Sequence, residues 1–205
     1  MNTLKIIGSF LIIVTMLAWL HRSLHPKPLD DEAMPPYAVG LVLAEQAAKT
    51  VHDNGRVVMI CMPMDSVRGQ AELEGFKQTL AQHKNVMLVG TNIFKHADTV
   101  VGCLTFPQFA EVMNENSNAD VIVSFLVVTS FTDAQIATLP KNTPKLVVMD
   151  WNSGDVDRGM NAGLVKAAVM TRRLSALPTN HPKSPLQWFD RYYDLVTPES
   201  NASPQ

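Results

Sequence analysis

The sequence predicts an α/β domain built on a doubly wound, mostly parallel, Rossmann-like sheet. Apolar runs alternate with segments of helical spacing along the chain, which is the order of successive βαβ units. The runs at 57–61, 119–125 and 145–150 are almost continuous, as in strands that helices cover on both faces. With 205 residues, 46% of them apolar, the chain can bury a core of ordinary domain size.

The elements follow in order. The first helix begins near residue 38, carries apolar residues three or four apart, and ends at Asn54 and Gly55, a pair typical of a helix C-cap. The apolar runs predict strands at 56–61, 86–90, 119–125, 145–150, 164–171 and 193–196. Helical spacing predicts helices at 66–83, 106–115, 133–139 and 155–162, and one more helical turn before the last strand.

The N-terminal segment is the most apolar part of the chain. An uncharged run begins at Ile6 and ends at Leu20. As a helix it would rise about 22 Å, short of the roughly 30 Å hydrocarbon core, but Lys5 can snorkel and the first four residues can extend the span. No small-residue cleavage pattern follows, which favours an uncleaved signal anchor over a cleaved signal peptide. We therefore expect a single-pass transmembrane helix in a bacterial inner membrane and a soluble domain in the periplasm.

Four sections are expected along the chain. The signal anchor takes residues 1–22, and a proline-rich linker takes residues 23–37, where Pro26, Pro28, Pro35 and Pro36 favour an extended spacer. The α/β domain covers residues 38–197. Residues 198–205 are predicted to be a flexible tail.

Composition and motifs exclude several classes of function. A net charge of −2 without a basic cluster argues against a nucleic-acid partner. The sequence has neither GxGxxG nor GxxxxGK[ST], so no nucleotide cofactor is expected. No histidine is paired at i, i+4 with a suitable carboxylate and no GxSxG elbow occurs, so we expect no metal site and no enzyme. Cys61 and Cys103 form no CxxC pair, which leaves burial or one disulfide open.

The stretch "GRVVMICMPMDSVRGQAELEGFKQTLAQHKNVMLVG", with its Gly75 and Phe76 pair, resembles the opening lobe of type I periplasmic binding proteins, the sugar-binding family related to LacI-type regulators. "NADVIVSF", "TPKLVVMDWN" and "YYDLVT" fall where that family has its later strands. The resemblance covers about residues 38–197. It implies a ligand held in a cleft between two lobes, whereas these residues amount to one lobe.

Anything bound should lie beyond the carboxyl ends of the strands. The candidate ligand-binding residues at those ends are Asp65, Ser66, Arg68, Asn92, Asp150, Trp151, Asn152 and Arg172. Hydrogen-bonding side chains beside an indole suit a sugar. The alternative is structural, because Asp65 and Ser66 can cap a helix, Asn152 can form a turn and Trp151 can pack at an edge.

Two functions from different classes remain open at this point. The first is a membrane-anchored, non-enzymatic accessory or scaffold protein that docks on another membrane protein complex or on itself. The second is a binding or sensor protein for a small, sugar-like ligand, whose site forms on dimerisation or with a partner.

Overall fold

A computed structural model of the chain describes residues 29–51, 54–95, 103–128, 131–149, 153–172 and 180–201, together with Met16. Contacts divide the chain into two units, Met1–Asp30 and Asp31–Gln205. Every helix and strand named below belongs to the second unit. Apart from Met16, the predicted anchor at residues 6–20 lies outside the described residues. Within the described part of the chain, no helix is both long and apolar enough to cross a membrane.

The second unit alternates helices and strands. The helices are α1 (Met34–Thr50), α2 (Val67–Leu80), α3 (Phe106–Glu115), α4 (Asp133–Thr138), α5 (Ser153–Asn161), α6 (Pro185–Tyr192) and α7 (Pro198–Asn201). The strands are β1 (Gly55–Cys61), β2 (Val86–Ile93), β3 (Cys103–Leu104), β4 (Val121–Ser124), β5 (Val127–Val128), β6 (Lys145–Met149), β7 (Val165–Thr171) and β8 (Tyr193–Val196).

Six strands form the main sheet in the order β2-β1-β4-β6-β7-β8. Each neighbouring pair is parallel except β7 and β8, which are antiparallel. The predicted mostly parallel α/β fold is therefore confirmed. The chain runs from β1 outward to the edge strand β2 and then returns to β4 on the other side of β1. The order of the strands thus reverses between β1 and β4, and ligands of open α/β sheets bind at such a point.

Helices cover both faces of this sheet. α1, α2 and α6 share one apolar core with side chains from the strands, while α3 and α5 share a second core on the opposite face. Every residue of β4 is buried, as are all residues of β6 except Lys145. Burial on both faces explains why these strands are continuous apolar runs in the sequence.

The packing of α1 on α2 brings their backbones unusually close together. A Cβ atom added at Gly40 would lie 2.0 Å from the carbonyl oxygen of Glu72, and one added at Gly75 would lie 2.2 Å from the carbonyl oxygen of Tyr37. Neither position has room for any side chain. The two helices can therefore cross at this distance only because each has a glycine at the contact.

The first helix begins earlier than predicted. α1 starts at Met34, within the segment expected to be a linker, and Pro35 and Pro36 lie in its first turn. Proline is tolerated there because the first amides of a helix have no partner within the helix. The prediction treated these prolines as linker residues, although at this position they are compatible with a helix start.

Three short elements were not predicted. β3 and β5 pair with each other in a separate two-stranded parallel sheet. α7 forms at the beginning of the expected tail, where the Thr197 amide donates to Ser200 Oγ at 2.8 Å. Each element has only two to four residues, so periodicity could not reveal it.

Candidate functional site

A crevice of about 220 Å³ lies at the carboxyl ends of β1, β4 and β6. Residues that follow β1 form one wall, the first turns of α2 form another, and Phe125 and Met149 come from the ends of β4 and β6. This is the switch point between β1 and β4, where the strand order predicts a ligand. Of the described residues that line it, five are apolar: Met62, Pro63, Met64, Phe125 and Met149.

The corner between β1 and α2 is built by a helix cap. Ser66 is the N-cap residue of α2, and its Oγ accepts a hydrogen bond from the Gly69 amide at 3.1 Å. The capping role predicted for Ser66 is therefore confirmed. Asp65 is exposed beside it, and its backbone carbonyl accepts from Gln70 Nε2 at 3.3 Å. The cap fixes the direction in which α2 leaves the crevice.

An ion pair in the lining joins Arg68 and Glu72, one helical turn apart on α2. Arg68 Nε lies 3.0 Å from Glu72 Oε1. The arginine side chain is 62% exposed, whereas the glutamate side chain is 9% exposed. Burial raises the pKa of the Glu72 carboxyl above its ordinary value, and the hydrogen bond and charge of Arg68 oppose that rise. The Arg68 guanidinium thus offsets part of the free-energy cost of burying the Glu72 carboxylate.

The raised pKa of Glu72 predicts a pH-dependent effect of Glu72→Gln. Because the pKa of Glu72 is higher in the folded protein than in the unfolded chain, folding favours the protonated carboxyl. The resulting stabilisation is fully present below the pKa of the unfolded state and is lost as pH rises through the pKa of the folded state. Glutamine does not ionise, so the variant undergoes no such loss of stability as pH rises. We therefore expect the Tm of the variant relative to the wild type to be higher at pH 7 than at pH 4, measured by thermal unfolding.

Glu111→Gln, at an exposed position of α3, serves as the matched control and should show a smaller pH-dependent difference in Tm. A Glu72→Gln difference that is constant or falls between pH 4 and pH 7 would show that burial does not penalise the Glu72 carboxylate.

The structure separates two other candidate residues from the crevice. Asn92 lies inside β2, opposite Ile60 of β1, because β2 continues three residues beyond its predicted end at residue 90. Its side-chain Oδ1 accepts from Asn116 Nδ2 at 3.4 Å. The prediction that Asn92 follows the second strand was therefore wrong.

Arg172 follows β7 as predicted, but its guanidinium is held by the region around β8. Its Nε donates to Asp194 Oδ1 at 2.9 Å, and its Nη1 donates to the carbonyl oxygen of Asp190 at 2.5 Å. Neither Arg172 nor Asn92 is among the described lining residues. Asp150, Trp151 and Asn152 lie outside the described residues. Of the described candidates, Ser66 and Arg68 line the crevice, and Asp65 directly precedes Ser66 in the sequence.

Seven described lining residues were not among the sequence candidates: Met62, Pro63, Met64, Gly69, Glu72, Phe125 and Met149. The i, i+4 spacing from Arg68 was a usable signal for Glu72, since such pairs face each other on a helix. Phe125 and Met149 lie at or next to the ends of predicted strands, but their apolar side chains give no signal of a binding site.

The two cysteines are not joined by a disulfide. Cys61 is buried at the end of β1, and this burial raises the pKa of its thiol, although the charge of Lys77 acts in the opposite direction. Cys103 is half-buried in β3.

Three solved structures that are similar to this fold are those of solute-binding or sugar-binding proteins. AraP, an arabinose-binding protein from Geobacillus stearothermophilus, is 18% identical with a TM-score of 0.53, and the match covers 80% of this chain and 61% of AraP. A solute-binding protein of an ABC transporter from Burkholderia graminis, solved with D-arabinose, is 15% identical with a TM-score of 0.54, covering 82% and 62%. The sugar-binding protein of a sugar ABC transporter from Bacillus halodurans is 15% identical with a TM-score of 0.53, covering 82% and 63%.

The chain therefore spans a little over 60% of the length of these three neighbours. No protein-family profile matches the sequence. No curated protein matches it either. At these identities the likeness to solved structures establishes the fold. The chain has the fold of a single lobe of a periplasmic sugar-binding protein, as the sequence resemblance implied.

Proposed function

We propose that the chain is a non-enzymatic accessory protein that residues 6–20 anchor in the inner membrane, with its binding-protein-like lobe in the periplasm. The lobe acts by docking on another membrane protein complex or on a second copy of the chain. One observation carries the proposal: the two arginines at the described strand ends are held by groups within the domain. Arg68 holds Glu72, and Arg172 holds Asp194 and the carbonyl of Asp190.

The walls of the crevice support the same proposal. A sugar needs several side chains that can hydrogen-bond its hydroxyls, and five of the nine described lining residues of this crevice are apolar. A polar ligand that enters beside these apolar residues would replace only some of its hydrogen bonds to water, which costs free energy. A lobe with this crevice is better suited to supply a folded surface than to capture a free sugar.

The alternative function is binding of a small, sugar-like ligand at a site that a partner or second copy completes. Two observations favour it. The crevice lies at the switch point of the sheet, and the guanidinium of Arg68 at its rim remains largely exposed. The structural neighbours named above are also sugar-binding proteins.

The test is a pair of measurements on the full chain. Two differently tagged copies are expressed together, solubilised from membranes in detergent and purified through one tag. We expect the eluate to contain the second tag or one other membrane protein in fixed stoichiometry. In a matched preparation that lacks residues 6–20, the chain should leave the membrane fraction after a high-salt wash.

The second measurement is thermal unfolding of the purified full chain with pentoses and hexoses, D-arabinose among them. We expect no increase in Tm, because a ligand stabilises a fold only as far as it binds the folded state. An increase that Asp150→Ala removes would overturn the accessory role and support the sugar-binding alternative.

A further inference from the structure

A second cavity, of about 470 Å³, lies at the end of the sheet opposite the crevice, beyond the last turn of α1. Thr50 and Val51 line it where α1 ends, and the segments that lead into β4 and β6 line other sides. We propose that this cavity binds a phosphate group, which the ammonium groups of Lys141, Lys145 and Lys166 hold. The proposal goes beyond the docking function and does not depend on it.

Two of the three lysines project from neighbouring strands on the face that α1 covers. Lys145 begins β6, two residues before Val147, which packs in the core shared with α1. Lys166 is the extra residue of a bulge in β7 and directly follows Val165, which packs in the opposite core. Because successive side chains of a strand alternate between its faces, both lysines point toward the α1 side. Lys141 joins them from the loop before β6.

The positive charge of this cavity is only partly balanced. In the described part of the chain, none of the three lysines forms an ion pair with a carboxylate. Asp120 lines the cavity, and its Oδ2 accepts a hydrogen bond from the Arg56 amide at 2.7 Å. Three ammonium groups against this one carboxylate leave the lining with a net charge of +2. An anion in the cavity would relieve the repulsion among the lysines.

A further carboxylate lies near one edge of the cavity. Hydrogen bonds to its own backbone and to Thr197 lower the pKa of Glu199, and the charge of Lys166 lowers it further. Glu199 is fully exposed on α7, where solvent screens its charge. It therefore reduces the positive potential of the cavity without cancelling it.

The donors of the lining favour a phosphate over a carboxylate. An ammonium group binds phosphate as a compact point charge, whereas arginine provides the planar fork that matches a carboxylate. No arginine is among the described lining residues. A phosphate monoester carries about 1.5 to 2 negative charges at pH 7, which matches the charge of the lining. The cavity falls within the range of small-molecule sites, roughly 300–1,000 Å³, so the rest of an ester also has room.

The alternative is that the three lysines only stabilise α1. Cations near the carboxyl end of a helix interact favourably with its dipole, and this cavity lies at that end of α1. Under this alternative, replacing a lysine lowers the stability of the domain, and no anion binds. Binding and stability are therefore measured separately.

The first test is calorimetric titration of the full chain, solubilised in an uncharged detergent, with two probes. Pyrophosphate represents a free phosphate compound, and glycerophosphoglycerol represents the headgroup of an anionic membrane lipid. We expect saturable binding at one site, weakened by added salt, which screens the lysines. Tighter binding of pyrophosphate assigns the site to free phosphate compounds, and tighter binding of the diester assigns it to lipid headgroups. Binding of neither probe overturns the proposal.

The second test repeats the titration on single variants with the probe that binds more tightly. Lys141→Gln, Lys145→Gln and Lys166→Gln should each weaken binding by about two- to fivefold, the effect of one charge at a partly exposed position. Lys77→Gln makes the same change in net charge at an exposed position of α2 and should leave the affinity unchanged. Equal weakening in all four variants would reveal non-specific attraction and overturn the site.

Asp120→Asn makes the opposite change in charge. It removes the carboxylate from the lining, while the amide oxygen of asparagine can still accept from the Arg56 amide. We expect binding to tighten by about two- to fivefold, and unchanged or weaker binding would contradict the proposal. Thermal unfolding of each variant without the probe separates lost stability from lost binding. The sugar and co-purification experiments use neither probe nor these residues, so their failure is distinguishable from failure here.

Discussion

Gly40→Ala and Gly75→Ala should each lower the free energy of unfolding by about 3 kcal/mol, the upper range for overpacking a well-packed interior. The added methyl group would meet a backbone carbonyl at 2.0 Å in the first case and 2.2 Å in the second. Backbone atoms of a packed helix cannot move aside as the end of a side chain can, so α1 and α2 must separate. Chemical denaturation of the full chain gives the difference.

Gly90→Ala is the matched control for this prediction. A Cβ at position 90 of β2 would lie 3.5 Å from the nearest atom, Val58 Cγ2, which is ordinary van der Waals contact. The control should therefore change the free energy of unfolding by less than about 1 kcal/mol. If the Gly40 and Gly75 variants were as stable as this control, the close crossing of α1 and α2 would be wrong.

Phe76→Ala should destabilise the domain by about 3 to 5 kcal/mol, the range for removal of a buried aromatic side chain. Phe76 is fully buried on α2, and its ring packs edge to face against that of Phe125 with the centroids 5.6 Å apart. The substitution removes that contact and leaves a cavity beside a wall of the crevice. Equilibrium denaturation gives the loss, and the Phe125 ring should also become more mobile by NMR.

Leu186→Ala provides the comparison at an exposed apolar position, since Leu186 is 54% exposed on α6. Its effect should stay within about 0.5 kcal/mol, as for most surface substitutions. Equal losses in the two variants would mean that Phe76 is not a core residue.

The sequence predicted the central strands well because the burial of these strands determines which residue types they contain. β1, β4 and β6 are covered on both faces, so their residues form nearly unbroken apolar runs. β2 lies at the sheet edge and its side chains alternate between half-buried and exposed. Thr91 and Asn92 therefore look like loop residues, although pairing with β1 keeps them in the strand. That pairing depends on residues distant in sequence.

The position of the crevice could be predicted, but most of its lining could not. The crevice lies beyond the carboxyl ends of the strands, where the sequence predicted a ligand, whereas the reversal of strand order between β1 and β4 is seen only in the structure. Which side chains line it depends on how far each strand continues and which helix turn faces inward. Arg172 shows the difficulty: it follows a strand as expected, yet its partner is Asp194 on the antiparallel strand β8.

The arrangement of α1 and α6 affects the time course of folding. The two helices pack against each other over the same apolar core, although most of the domain's sequence lies between them. α1 can meet α2 early, since one short strand and its flanking turns separate them. Closure of the long loop to α6 costs more chain entropy, and contacts distant in sequence slow folding. Docking of α6 is thus expected to be the last step, and until then the apolar residues beneath it remain in contact with water.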